Sequence, residues 1–353
     1  MPTVGADPLI SYCSDVLEAA GVPSEDARLV ARSLVDANLR GHDSHGVMRL
    51  PQYLGFLQEG RYQVGVPLKI ERESAAIVVA DGQWGLGQVQ SHRLLAKVLE
   101  KCSSVGLAAG AARDCGHIGR LGEYAEAAAQ RGMILLATVN NCGAGQRVAP
   151  PGGREPRLGT NPLCIAVPTH DEVVLLDFGT SVVAEGKVRV YYIDNKKPVP
   201  PGWLLDAEGR PTVNPAVLYE PPLGSILPMG GAQAYKGFGL SLVLDLLAGG
   251  LSGGRSPFPG APAARGNNVV FLALNPEFFA GAQHLLGEAT QLIQFVRNTP
   301  RIEGVDKIMI PGDPERMALE KRSALGIPLE PAHWRKLVEA GEQLGVIAPT
   351  LAD

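Results

Sequence analysis

The sequence predicts an α/β protein of α+β-like character, with helical chain ends and a middle that alternates strands with helices. Three observations carry that expectation. Apolar residues recur at helical spacing before about residue 74 and again after about 291, and short β-branched runs alternate with helical segments in between. No G-x-G-x-x-G is found, so a Rossmann crossover is not expected. At 353 residues the chain exceeds the roughly 100–200 of a typical domain, which predicts two lobes. Their expected bounds are a helical lobe over 1–74, an α/β domain over 75–290 and a helical segment over 291–353 that rejoins the first lobe.

Asp7 to Ala20 reads as a helix stopped by Gly21, and Ser24 caps a second with Leu29, Val30, Leu34, Val35 and Leu39 on one face. The polar run from His42 to Gly46 marks an element boundary, and Pro51 suits the first turn of a short helix through Leu57. Ala76 to Ala80 is a predicted strand, Ser91 to Cys102 a helix ended near Gly106, and Leu107 to Ala112 a second strand. A helix from Ile118 to Gln130, a strand over Met133 to Val139, a Gly/Pro loop from Asn140 to Gly159 and strands at Leu163 to Val167 and Val173 to Leu176 follow. Asn195 to Gly231 is expected to be exposed loop, and Phe238 to Leu251 an apolar helix buried against the sheet. Val269 to Leu274 is the last clear strand, after which Pro314 and Pro331 open terminal helices.

Composition excludes several classes. Hydrophobic content of 45% with 19% charged residues is that of a globular enzyme, and a net charge of −4 without a basic run leaves no footprint for nucleic acid. The N-terminus lacks a basic start and apolar stretch, and no uninterrupted apolar run suits a bilayer span, so a cytoplasmic location is expected. Cys13, Cys102, Cys115, Cys142 and Cys164 form no C-x-x-C pair and are expected to be reduced thiols, with no structural zinc.

The densest group of reactive side chains runs from Arg40 to Tyr53. His45 has an imidazole able to give and take a proton near neutrality, and Ser44 or Asp43 can hold one tautomer. Arg49 offers a planar fork for a carboxylate. His45, Arg49 and Tyr53 recur every four residues and would share a helix face, an inference that Pro51 weakens. A capped helix end with solvated charges is the plain alternative.

The run His117-Ile118-Gly119-Arg120-Leu121 links a strand to a helix, where backbone N–H groups and Arg120 suit an anion such as a pyrophosphate; a Gly-rich turn capped by His117 fits as well. Thr160 and Asp177-Phe178-Gly179-Thr180-Ser181 place small and hydroxyl residues at strand ends, where α/β sheets expose ligand clefts. Glu185, Gly186 and Lys187 follow, the lysine being either an oxygen-orienting group or an ordinary surface residue. Tyr235-Lys236 and Gly312-Asp313 each put a charge beside glycine at a helix start.

Taken in order, D-S-H-G-x-x-R, G-H-I-G-R, G-T-N-P, D-x-G-T-S-x-x-A-x-G-K, Y-K-G and P-G-D-x-E resemble the type 2 malate/L-lactate dehydrogenase family, from about Arg40 to the C-terminal helix. That family also holds sulfolactate, ureidoglycolate, diketogulonate and piperideine-2-carboxylate oxidoreductases. The resemblance implies a non-Rossmann, largely antiparallel mixed sheet, a helical lobe closing the site, a homodimer, no metal, and NAD or NADP as cofactor for hydride exchange with a 2-hydroxy or 2-oxo acid. It implies His45 as proton donor and acceptor with Ser44 as relay, Lys187 as a third catalytic group, and Arg49 as carboxylate clamp. Tyr53, Thr160, Glu185 and Gly186 become substrate contacts. The runs 117–121 and 177–181, with Tyr235, Lys236, Gly312 and Asp313, become cofactor contacts.

This chain departs from the family pattern in the loop from Asn140 to Gly153, at Gly179 and at Ala234. Lys187 stands where the cyclic-imine reductases carry aspartate, which favours an oxo or hydroxy acid over an imine. Two readings from other classes stay open: a metal-dependent hydrolase using His42, His45 and His117, and an inactive dimeric protein that binds carboxylates or nucleotides.

Overall fold

The computed structural model describes residues 1–193, 196–261 and 265–351. Strand β1 (Thr3–Val4) is followed by helices α1 (Ala6–Ala19) and α2 (Ser24–Leu39). Leu9, Cys13, Val16 and Leu17 of α1 are buried in one cluster with Val30, Ala31, Leu34 and Val35 of α2. Burying each large aliphatic side chain contributes about 1.5–3 kcal/mol. The tight link between the two helices passes through left-handed backbone, which Gly21 adopts at φ 89° without Cβ strain. Single 3-10 turns at Asp43–His45 and Val47–Arg49 lead into α3 (Leu50–Gln58), with Pro51 in its first turn.

The central part supplies β2 (Lys69–Glu73), β3 (Ile77–Asp81), α4 (Gly87–Val105), β4 (Leu107–Gly116), α5 (Leu121–Ala129), β5 (Ile134–Asn140), β6 (Pro162–Pro168) and β7 (Val173–Gly179). After α6 (Glu185–Ile193) come the short strands β8 (Leu204–Leu205), β9 (Pro211–Thr212) and β10 (Ser225–Ile226), then α7 (Ala234–Leu251) and β11 (Gly266–Leu274). Helix α8 (Ala282–Arg297), α9 (Asp313–Leu325), β12 (Ile327–Pro328) and α10 (Pro331–Glu342) complete the chain.

The main sheet has seven strands in the order β2-β3-β4-β11-β5-β6-β7. Only β3 and β4 run parallel; every other neighbouring pair in it is antiparallel. It is therefore the mixed, largely antiparallel sheet the sequence led us to expect. Helix α4 lies close on β4 because Gly110 has no side chain: a Cβ there would come within 2.4 Å of Val98 Cγ2. The two chain ends meet, since β1 pairs antiparallel with β12 and Tyr12 donates a hydrogen bond to the Leu337 carbonyl at 2.9 Å.

Several expectations need correction. Strand β4 continues to Gly116 and β7 to Gly179, because β11 and β6 pair with them to those points. Helix α5 starts at Leu121 rather than Ile118, since Gly119 is left-handed at φ 77° and the Ile118 amide is bonded to Asn267 instead of entering a helix. Besides the two-residue strands, the elements not anticipated are the charged, exposed strand β2, whose Lys-Ile-Glu-Arg-Glu composition protects a sheet edge, and helices α6 and α8. The stretch expected as loop from Asn195 to Gly231 carries a three-stranded sheet around a small core that includes Val188, Leu204, Leu218 and Ile226; Asn195 itself lies outside the described residues.

Helix α7 is buried on one side only. Asp245 is almost fully buried and accepts hydrogen bonds from Asn140 and Asn161, whereas Val243, Leu246 and Leu251 are more than half exposed. By length and composition the segment 231–251 could cross a membrane, contrary to the sequence expectation. Its packing on β5 and β11 and its buried carboxylate make it a sheet-covering helix with one bare apolar side.

Phe271, at the centre of β11, is fully buried with its ring 5.3 Å from that of Tyr124 on α5. Phe271→Ala is expected to cost about 3–5 kcal/mol of stability, read from the shift in urea midpoint at unchanged slope.

Candidate active site

The site begins at Asn38, in the last turn of α2. Its side chain accepts a hydrogen bond from the Val47 amide at 2.8 Å and donates one to Asp43 at 2.6 Å, which pins both ends of the Asp43–Val47 bend. Gly46 makes that contact sterically feasible, because a Cβ at this position would lie 2.2 Å from the Asn38 amide oxygen. Arg322 of α9 closes the arrangement with a bidentate ion pair to Asp43. The extended backbone at Gly46 also means that His45, Arg49 and Tyr53 do not share one helix face, the register that the four-residue spacing suggested.

His45 and Arg49 nevertheless reach the same cavity, which has a volume of about 960 Å³. Ser44 Oγ lies 3.0 Å from His45 Nδ1. Arg49 donates through Nε to the Ser44 carbonyl at 2.7 Å and through Nη1 to Gln52 at 3.0 Å, leaving Nη2 without a partner among the described residues. Burial in the cavity wall, reinforced by the positive charge of Arg49 and then by His42 and Arg120, lowers the pKa of His45 to about 3. His45 is thus a neutral imidazole at physiological pH.

His117 stacks on His45 with ring centroids 5.6 Å apart and an interplanar angle of 18°. Gln88 donates to the Tyr53 hydroxyl at 3.0 Å, so that hydroxyl gives its own proton to His117 Nδ1 at 2.6 Å. The network assigns the His117 proton to Nε2, and burial and the Arg49 charge lower this group well below the ordinary histidine pKa. Tyr53, expected to touch substrate, is fully buried behind His117 and not part of the cavity wall.

The cavity gathers most of the residues singled out in the sequence: Ser44, His45, Arg49, His117, Gly119, Arg120, Leu121, Thr160, Asp177, Phe178, Gly179, Ser181, Glu185, Gly186 and Lys187. Ile118 and Thr180 sit just behind the wall. The Ile118 amide is held by Asn267, and the Thr180 hydroxyl bonds the carbonyls of Thr160 and Asn161, tying the end of β7 to the 160–161 turn. The Glu185 carboxylate is taken by Arg189 and by the Tyr219 hydroxyl at 2.9 Å.

Four residues are placed elsewhere. Tyr235 and Lys236 are exposed at the start of α7, outside the cavity wall. Gly312 packs on Leu175 in the first half of β7. Asp313 spends its carboxylate on the Ile310 amide, Arg297 and Arg316, which hold its pKa down to about 2 against the opposing effect of burial. Among the described residues no cluster of three or more His, Cys, Asp or Glu side chains is placed to share a metal. His42 is bonded to Glu315 and His117 to Tyr53, so the three histidines of the hydrolase reading are engaged separately.

The walls also suit a dinucleotide. Arg120 is almost fully buried, pairs with Asp36 and Glu126 through Nη2, and keeps Nε and Nη1 without partners among the described residues. These two atoms are sealed from solvent, Nη1 lying against Gly122, so the charge of Arg120 reaches the cavity as a field and not as an open hydrogen-bond donor. Gly119 is left-handed, and the place a Cβ would take is closed by Ser33 and Gln88, 3.3 and 3.4 Å away. Asn38, Gln88, Tyr62, Asn267 and Arg265 were missed by sequence reasoning. Asn38 carries a faint local signal, a short polar side chain at the end of a helix just before a polar run; the others are set by contacts distant in the chain.

A neutral histidine and a partly free guanidinium thus share one cavity, an arrangement chemically able to hold a small acid beside a proton acceptor. The profile of the malate/L-lactate dehydrogenase family matches residues 4–338, and the chain belongs to that family. It is 37% identical over 352 residues to hydroxycarboxylate dehydrogenase B of Escherichia coli strain K12, covering 98% of this chain and 95% of that protein. The L-sulfolactate dehydrogenase of Methanocaldococcus jannaschii is 36% identical over 338 residues, 94% of each chain. The solved malate dehydrogenase of Pyrococcus horikoshii superposes with a TM-score of 0.89 at 32% identity, covering 98% of this chain and 97% of that one. The protein is accordingly an oxidoreductase that acts on the CH–OH group of hydroxy acids.

Gly186 faces Ser44 so closely that a Cβ would sit 2.6 Å from Ser44 Cβ. Gly186→Ala is expected to push the Ser44–His45 pair out of place, cutting turnover roughly 10–100-fold while the melting temperature stays within a few degrees of wild type.

Proposed function

We propose that the protein is an NAD- or NADP-dependent dehydrogenase of small 2-hydroxy acids, with His45 as the acid–base group and Arg49 as the carboxylate clamp. The observation that carries this is the placement of a neutral imidazole and an uncapped guanidinium edge in one cavity. When bound, the nicotinamide supplies the hydride acceptor or donor. His117, Gly119, Arg120, Leu121 and the Asp177–Ser181 strand end are the residues that would hold it.

The side chains do the rest. Arg49 fixes the carboxylate through Nη2, which sets C2 and its oxygen against His45. With the His45 proton on Nδ1, donated to Ser44 Oγ, Nε2 is a free base that takes the hydroxyl proton. The Ser44 hydroxyl can equally donate to Nδ1, so the same contact serves the tautomer in which Nε2 carries hydrogen. A bound carboxylate neutralises the Arg49 field and raises the pKa of His45, so proton uptake is favoured in the loaded site rather than in the empty one.

Four of the five cysteines are buried thiols and Cys142 is half-buried, which supports a reducing, cytoplasmic setting. The bare side of α7 supports a homodimer. Leu242, Val243, Leu246, Leu247 and Leu251 form a continuous exposed apolar stripe at helical spacing, of the kind two copies bury against each other.

The deciding measurement is a spectrophotometric screen of NADH and NADPH against pyruvate, oxaloacetate, sulfopyruvate and piperideine-2-carboxylate. Turnover is expected with an oxo acid, and His45→Ala should lower it about 10²–10⁴-fold with cofactor affinity nearly kept. A preference for the imine, or turnover unaffected by that substitution, counts against the proposal. The lowered pKa of His45 gives the pH dependence its sign: the free enzyme holds it unprotonated from pH 8 to pH 5. Oxidation kcat/KM should therefore show no loss with a pKa near 6.5, while reduction kcat/KM should climb steadily as pH falls through that window. For the dimer, light scattering behind size exclusion should give twice the chain mass for wild type and a monomer for Leu246→Asp.

A further inference from the structure

Two imidazoles share the cavity wall, and the groups on their Nδ1 atoms differ. His45 and His117 lie nearly parallel, with ring centroids 5.6 Å apart. Neither Nε2 has a hydrogen-bond partner among the described residues and neither is sealed from solvent, so both open onto the cavity. On His45, Nδ1 meets the Ser44 hydroxyl at 3.0 Å, which can donate or accept, so this ring can take a proton at Nε2 and give it back. On His117, Nδ1 meets two donors, the Tyr53 hydroxyl at 2.6 Å and the Gly119 amide at 3.4 Å. A backbone N–H only donates, so this Nδ1 keeps its lone pair whichever way the Gln88 amide is turned, and the ring proton sits on Nε2.

The ring is held that way from behind. Gln88 donates to the Tyr53 hydroxyl at 3.0 Å, and the Tyr62 hydroxyl receives the His117 amide at 2.8 Å while donating to the Arg265 carbonyl at 2.5 Å. Tyr53 is fully buried, and burial pushes its phenol well above the ordinary tyrosine range, so the hydroxyl keeps its proton. A second proton on His117 would have to enter at Nδ1, against the fixed Gly119 N–H. His45 can therefore change its protonation state, whereas His117 is locked as a neutral donor.

We infer that His117 is a fixed hydrogen-bond donor to the C2 oxygen of the substrate, beside His45 as the proton carrier, and that Tyr53 is the positioning residue that keeps it so. The inference rests on the hydroxy-acid reading above and adds a substrate contact to the cofactor wall given to His117 there. One oxygen hydrogen-bonded to both rings at about 2.8 Å bridges a separation of this order. In oxidation the hydroxyl proton passes to His45 Nε2 and the C2 hydrogen leaves with its electron pair for the cofactor, while His117 keeps its proton and steadies the oxygen. In reduction, hydride addition at C2 builds negative charge on the oxygen, and the His117 N–H stabilises that charge until His45 delivers the proton. A neutral imidazole suits this task because its N–H polarises a carbonyl without competing for the proton.

The test separates donating from proton carrying, with turnover followed as oxo-acid reduction. Glutamine puts an amide N–H near the place of histidine Nε2 but takes up no proton. His117→Ala should lower kcat about 10²–10³-fold with the KM of the acid within about threefold, as loss of one transition-state donor does. His117→Gln should win back at least about tenfold of that loss, and Tyr53→Phe should lower kcat roughly 10-fold with a melting temperature within a few degrees of wild type. The tautomer is read without turnover, from the imidazole nitrogen resonances of ligand-free enzyme carrying nitrogen-labelled histidine. Wild type should show a bare Nδ1 and a protonated Nε2 on His117, and Tyr53→Phe should draw the two resonances toward each other. A proton on Nδ1 in wild type overturns the inference, and so does His117→Gln as impaired as His117→Ala, which would make His117 a proton carrier. Resonances unmoved by Tyr53→Phe would strike out its positioning role. If wild type reduces no oxo acid, the dehydrogenase reading fails while the nitrogen resonances still judge the lock on His117.

Discussion

The contact of the Asn38 side chain with the Asp43–Val47 bend is the constraint on which the rest of the site depends. It takes a helix that ends in a polar amide, a glycine with no Cβ to block that amide, and an ion pair from α9 to Asp43. Together these stop α2 and force the chain into two short turns instead of one continuous helix. The consequence is geometric. His45 and Arg49 enter the cavity from separate turns, while Tyr53 goes behind the wall to orient His117. Because the ion pair comes from a helix near the C-terminus, both chain ends must be in place before the bend that carries His45 is secure.

Electrostatics then follow from enclosure. Burial in the cavity wall, reinforced by the charge of Arg49, keeps His45 and His117 neutral. On the proposed reading, a carboxylate held by Arg49 would offset the charge that adds to burial in suppressing protonation of His45, and so would couple binding to acid–base chemistry.

Helix α7 shows how one element serves two purposes. Its buried side carries Asp245 into a set of asparagines, Asn140 and Asn161 bonding the carboxylate while Asn267 and Asn268 bond Asn140, and Asn161 adjoins Thr160 on the cavity wall. Its other side is bare and apolar. A second copy covering that side would press on the helix that anchors these asparagines, which gives assembly a physical route to the site.

Much was legible in the chain before any coordinates. Local propensity and turn chemistry place the helices, most sheet strands, the stop at Gly21 and the start at Pro51, because each is settled by residues a few positions apart. The chemistry of Ser44, His45 and Arg49 was legible too, since residue type and proximity suffice to nominate a proton carrier and an acid clamp. Strand β2 and helices α6 and α8 were not, as their patterns are weak and their edges are set by partners far along the chain. Only the tertiary structure could separate Tyr235, Lys236, Gly312 and Asp313 from the cavity, bring Arg265 and Asn38 to it, and set Gln88 behind the wall on Tyr53. Sequence determines what each side chain can do; which ones face each other is decided by long-range pairing, and by burial that no local pattern encodes.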